Sequence, residues 1–238
     1  MTIGAAGHGW GLAVFPLLAG LIAGVFSLVL LVRFAQRRRP AEGVWSLALK
    51  MYAIASLAMY LGVVAGWTVA EFKTYWLFGA ILNVPFLFLG EAYLLTQRRA
   101  LAHVLMAVLV VLAVIATWVV VGARTSASPL SSALPLGKDV FGGGTKAHRL
   151  AQLYSLPAYF LLLGGLLWSA SQMRGRSELR NRTTGTVAIA FGATIVAVGS
   201  GIGAAFDIVP LFSAGLTAGI AVMFWGFLQA ARPTVAKA

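Results

Sequence analysis

Seven stretches of the chain, 10–34, 45–66, 74–97, 101–122, 148–172, 183–206 and 208–231, run almost without charge and are separated by charged or Gly/Pro/Ser-rich breaks. A helix needs about 20 apolar residues to cross bilayer hydrocarbon. Inside that hydrocarbon only a helix or a closed barrel can satisfy every backbone polar group. Stretches of this length select the helix, so the sequence predicts an all-α, polytopic membrane protein: a bundle of seven transmembrane helices forming one domain, residues 1–238. With 60% hydrophobic and 10% charged residues, the chain carries more apolar surface than a single globular core could hide.

The placement of the charges predicts the orientation. Net charge is +12, but the cations cluster at alternate breaks. Arg33, Arg37, Arg38 and Arg39 are followed by Arg98 and Arg99, then Arg174, Arg176, Arg180 and Arg182, and finally Arg232 and Lys237. Cytoplasmic loops hold the excess Lys and Arg, so the N-terminus is expected outside and the C-terminus inside. The plasma membrane of a prokaryote is the expected location. These clusters suit anionic lipid headgroups at the cytoplasmic face; nucleic acid is not an expected partner. "MTIGAAGHGW" has no Lys or Arg ahead of the first apolar run, so that run is expected to stay as a helix rather than leave as a signal peptide.

Only the fourth and fifth helices are joined at length, through the extracytoplasmic loop 124–147, "RTSASPLSSALPLGKDVFGGGTKA". Its Ser, Pro and Gly content predicts an irregular connection, with Val140 and Phe141 docking it over the bundle. Its "GKDVFGGGTK" lacks the GxxxxGK[ST] order of a phosphate loop and follows no strand.

Each helix that runs from outside to inside carries a proline in its outer half: Pro16, Pro85, Pro157 and Pro210. A mid-helix proline removes a donor and displaces the carbonyl four residues earlier. In lipid that carbonyl needs a neighbouring helix, water or a hydroxyl, so these kinks are expected to surround a solute path. Pro210 could instead sit harmlessly in a first turn. Gly20/Gly24, Gly199/Gly203 and Gly215/Gly219 have the GxxxG spacing of close helix contacts. A division into three, one and three helices would equate the first helix with the fifth.

The run "LNVPFLFLGEAYLLTQRR" contains a carboxylate, Glu91. Glu91 lies about 10 Å inside the boundary marked by Arg98 at 1.5 Å per residue, deep enough for an unpaired charge to be costly. With the turn between the second and third helices centred at Ala70 and Glu71, Lys50 falls at the same depth. The two are expected to pair, so that removing Glu91 alone would cost more than removing both. Asn83, Tyr93, Tyr52 and Tyr60 are the expected polar neighbours. Glu91, Lys50, Asn83 and Tyr93 form the candidate substrate or ion site. Asn83, two residues before Pro85, sits where a broken helix would offer carbonyls to a solute.

Enzymatic chemistry finds little footing. There is no cysteine, hence no thiolate and no Cys-ligated metal. His8 and His148 belong to the outer side and His103 to the inner. Ser200 in "AVGSGIG" has no histidine on its own or the following helix to activate it, and the seventh helix lacks the lysine of a retinal Schiff base. No metal or cofactor is expected. The leading expectation is a small-solute or ion/proton-coupled permease using the Lys50–Glu91 pair and the proline-broken helices. The alternative is a non-catalytic membrane subunit or sensor that assembles with a partner, as a homo- or hetero-oligomer, through Gly-rich helix faces.

Overall fold

The computed structural model describes residues 6–232 except Gln97, Ala133 and Asp207, with side chains from Ala13 onward. Among the described residues the chain is helical without strands. Seven helices are long and apolar enough to cross a membrane. They are α1 (Ala6–Arg37), α2 (Pro40–Ala65), α3 (Val69–Leu95), α4 (Arg99–Gly122), α5 (Lys146–Met173), α6 (Arg180–Ala205) and α7 (Val209–Ala230).

The α2–α3 turn is tighter than the apolar boundary suggests. Gly66 closes α2 at φ +91°, a conformation open to glycine. Two residues later Thr68 and Glu71 form a capping box: the Thr68 hydroxyl accepts from the Glu71 N–H at 3.2 Å, and the Glu71 carboxylate accepts from the Thr68 N–H at 2.9 Å. Helix α3 therefore begins at Val69, five residues before the apolar stretch at 74. It then passes through a π-helical segment, Trp76–Leu82, before Pro85. There the Asn83 N–H donates to the Phe78 carbonyl, five residues back.

Six helices close into a ring in the order α1, α2, α3, α5, α6, α7, while α4 touches α3 and α5 only lightly. The tightest seam is α6 against α7. Gly185, Gly192 and Gly199 recur every seven residues and meet Gly226, Gly219 and Gly215. A Cβ at Gly192 would lie 2.6 Å from the Gly219 carbonyl oxygen, and one at Gly199 2.8 Å from the Gly215 Cα. The GxxxG glycines of α6 and α7 are thus spent on each other. On α1, Gly20 lies against Leu57 of α2, and a Cβ at Gly24 would meet nothing within 4 Å.

Hydroxyls lock the remaining seams. Ser27 and Ser46 each donate to the other's carbonyl, at 2.8 and 2.9 Å, joining α1 to α2. Thr217 of α7 donates to Phe15 O at 2.7 Å, Tyr159 of α5 to Thr194 Oγ1 of α6 at 3.0 Å, and Tyr52 of α2 to Leu216 O of α7 at 2.9 Å. The centre of the ring is filled by Phe26, Trp45, Leu49, Leu87, Leu162, Ile189 and Met223, which leave a cavity of only about 10 Å³. That is about the smallest space able to hold one water, and its walls offer that water no polar partner.

The 124–147 segment docks as expected: Val140 and Phe141 are buried. Phe141 packs on Phe72 and Trp76, and the Trp76 indole donates to Ala147 O at 3.0 Å. The segment is not wholly irregular, since it holds a 3₁₀ turn at Ser128–Ser131 and a helical turn at Gly137–Val140. Lys73 donates to the final carbonyls of α4 at Val121 and Ala123, the favourable position for a cation on a helix dipole. Tyr154 of α5 donates to Leu112 O of α4 at 3.3 Å, but most of α4 is bare, with Trp118 82% exposed. Beside it an open apolar groove of about 580 Å³ runs between Phe86 of α3 and Val110, Ala113, Val114 and Thr117 of α4.

Tryptophan favours the membrane interfaces, but here Trp67 is buried and Trp45 and Trp76 are half-buried within the bundle. Trp10 lies outside the described side chains. The outward tryptophans are Trp118, Trp168 and Trp225, each toward one end of its helix.

Candidate functional site

Glu91 is buried, 2% exposed, against α5 rather than α2: its side chain lies over Gly165, whose missing Cβ would fall 3.1 Å from Glu91 Cγ and 2.9 Å from Leu95 Cδ1. Gly165 makes room for the carboxyl. No described residue pairs with it by ion pair or hydrogen bond.

Lys50 does not meet Glu91, which overturns the expected ion pair. Two causes are visible. Ala55 lies against Gly79 and Trp45 over Gly90, which sets Lys50 level with Pro85. Six residues, or about 9 Å along the axis, then separate it from Glu91. The capping box places the turn nearer α2, and the hairpin register follows. The second cause is azimuth. Glu91 faces into the ring, whereas Lys50 belongs to an exposed stripe of α2 with Leu47, Ile54, Leu57 and Leu61.

The expected polar neighbours are scattered as well. Asn83 is 3% exposed and sits eight residues from Glu91 on α3, about 12 Å away along the axis. Tyr93 bonds His103 Nδ1 at 2.9 Å, joining α3 to α4 near their connection. Tyr52 is committed to Leu216 on α7. Tyr60 is half-buried, ten residues beyond Lys50 toward the far end of α2. Ser200 bonds Ala197 O in its own helix. His148 stacks on Trp76 under the docked loop, and the side chain of His8 lies outside the described residues.

The prolines divide into pairs. Pro16 and Pro85 are buried. Beside Pro16 the Phe15 carbonyl takes the Thr217 hydroxyl, and one residue before Ile81 the Ala80 carbonyl takes the hydroxyl of Ser155 from α5. Pro157 instead faces outward, with Leu153 67% exposed one turn earlier. Pro210 occupies the first turn of α7 and interrupts nothing. Four kinks around one path is therefore not the arrangement.

What the fold presents in place of a central site is the outward stripe of α2. Its members are spaced three, four, three and four residues apart, the spacing of a helix seam at 3.5 residues per turn. That spacing is legible in the sequence. Its outward direction is not, because the other faces of α2 are equally apolar. Fold and stripe together define a class, a seven-helix bundle compatible with a multi-pass integral membrane protein. No family model, curated protein or solved structure matches the chain.

Proposed function

We propose that the chain is a non-catalytic membrane subunit whose six-helix ring serves as a scaffold for a partner polypeptide. It would lie in a cell membrane with its N-terminus outside and its C-terminus in the cytoplasm, the arginine clusters at Arg37–Arg39, Arg98–Arg99 and Arg174–Arg182 resting among anionic headgroups. The observation that carries this reading is Lys50: a cation on an exposed face at the level of Pro85, with no partner among the described residues. Intramembrane cations face a bundle interior or a counter-charge, and this one has neither within the described chain. The apolar plug at the ring's centre supports a scaffold over a conduit. The Gly-rich faces of α6 and α7 expected to recruit the partner are occupied within the chain, and α2 is the recruiting face in this reading because its exposed stripe carries Lys50.

A photo-crosslinking residue at Ile54, compared with one at Phe191 on the exposed side of α6, tests the proposal in the native membrane. A polypeptide adduct of one discrete mass at 54 and only lipid adducts at 191 is expected. Lipid adducts at both positions would overturn it.

A carrier is the second reading, favoured by Pro85 six residues before an unpaired Glu91 and by a π-helical segment that ends nine residues before it, since π segments collect at functional sites. A buried carboxyl without a counter-charge can take up a proton or a cation. Proteoliposomes decide this reading: a proton or solute flux lost in Glu91→Gln, with the fold intact, would restore it.

A further inference from the structure

We propose that the α2 stripe Leu47, Lys50, Ile54, Leu57 and Leu61 receives one transmembrane helix of a partner polypeptide, and that an Asp or Glu of that helix meets Lys50. This rests on the scaffold reading and names the chemistry of its partner.

Depth is the first support. Lys50 stands ten residues from the start of α2 at Pro40, and its level on α3, Pro85, stands ten residues from the end of that helix at Leu95. Both counts put it about 15 Å from the arginine-bearing end. A lysine stem reaches about 6 Å, so even fully extended toward the arginine-bearing end it leaves the ammonium about 9 Å short of the helix terminus.

Charge complementarity is the second. The occupant must bring a negative charge to mid-bilayer depth, and among its described residues a second copy of this chain has none to bring. Glu91 is buried against Gly165 and Glu71 is held in its capping box. Asp139 and Glu178 lie in the connections, and Glu42 is in the first turn of α2 with one oxygen buried. A symmetric dimer on this face would set the two Lys50 side chains against each other.

The spacing is the third. Alternation of three and four residues presents a continuous seam to one helix crossing at a shallow angle. A single polar residue at such a seam position fixes register and partner at some cost in stability. Lys50 takes that place, with apolar side chains above and below it.

The test uses the absence of cysteine. A donor dye on Ala70→Cys, at the exposed turn, reports association in phosphatidylcholine vesicles with acceptor-labelled Leu/Ala transmembrane peptides that differ only in a central Glu or Leu. The Glu peptide is expected to associate roughly tenfold more tightly than the Leu peptide. Lys50→Met should abolish that preference, Lys50→Arg should keep it, and Ile54→Trp should weaken binding of the Glu peptide with Lys50 intact. Equal binding of both peptides, or a preference that survives Lys50→Met, overturns the Lys50 assignment and leaves α2 as an apolar docking face. Self-association through the stripe, read as donor-to-acceptor transfer between two copies, overturns the proposed occupant. Association with neither peptide nor copy removes the scaffold reading as well.

Discussion

Replacing Gly192 with alanine adds one methyl group where the backbones of α6 and α7 already touch. Its Cβ would stand 2.6 Å from the Gly219 carbonyl oxygen and 2.8 Å from the Met223 nitrogen. Both are backbone atoms, so no rotamer change relieves the clash. Ordinary contact needs close to 1 Å more, and the helices can gain it only by separating, which loosens the contacts at Gly185 and Gly199 together. Overpacking of this kind costs about 1–3 kcal/mol, and three coupled contacts place it at about 3. Alanine returns about 1 kcal/mol in helix propensity, so a net loss of about 2 kcal/mol is expected. Gly201 sits on the same helix, where an added methyl would meet nothing within 4 Å, and Gly201→Ala should gain about 0.5–1 kcal/mol. Unfolding in mixed detergent–SDS micelles, followed by tryptophan fluorescence, compares the two. Equal midpoints for the two variants would mean that the α6–α7 seam is not the glycine contact described.

A double-mutant cycle with Lys50→Met and Glu91→Gln should give a coupling energy below about 0.5 kcal/mol, since the groups lie on different faces and at different depths; about 1 kcal/mol or more would revive the ion pair. In the isolated chain, Lys50→Met alone should raise stability in bicelles by about 2–3 kcal/mol, the cost of placing a lysine at the centre of a membrane helix, and a loss of stability would contradict its outward placement. Phe141→Ala should remove about 3 kcal/mol of packing from the aromatic cap over Phe72 and Trp76 and, by loosening the backbone around them, speed trypsin cleavage at the already exposed Lys138 and Arg149; an unchanged cleavage rate would show that the loop is held by other contacts.

The number of helices and their approximate ends follow from one-dimensional facts, because hydrocarbon forces every span to satisfy its own backbone. The docking of Val140 and Phe141 follows too, since with Leu130, Leu134 and Leu136 they are the large apolar groups in a loop otherwise of small and polar ones. The capping box is equally present in "TVAE", a local signal, though an apolar stretch counted from 74 passes over it. Starting α3 at Val69 shifts the turn by a few residues and carries Lys50 away from Glu91. The rest needs the tertiary structure. In a chain this uniformly apolar, periodicity does not tell which face of a helix turns inward, so only packing could show Lys50 outward and Glu91 over Gly165. The glycines of α6 and α7 read as faces offered to a partner until their seven-residue register is seen to match across the hairpin. Four prolines look alike in sequence, yet neighbours on α5 and α7 give two of them buried places, and helix start and azimuth set the other two apart. Length and hydropathy are sums along the chain, whereas register and azimuth are relations between helices, and those relations decide the candidate site.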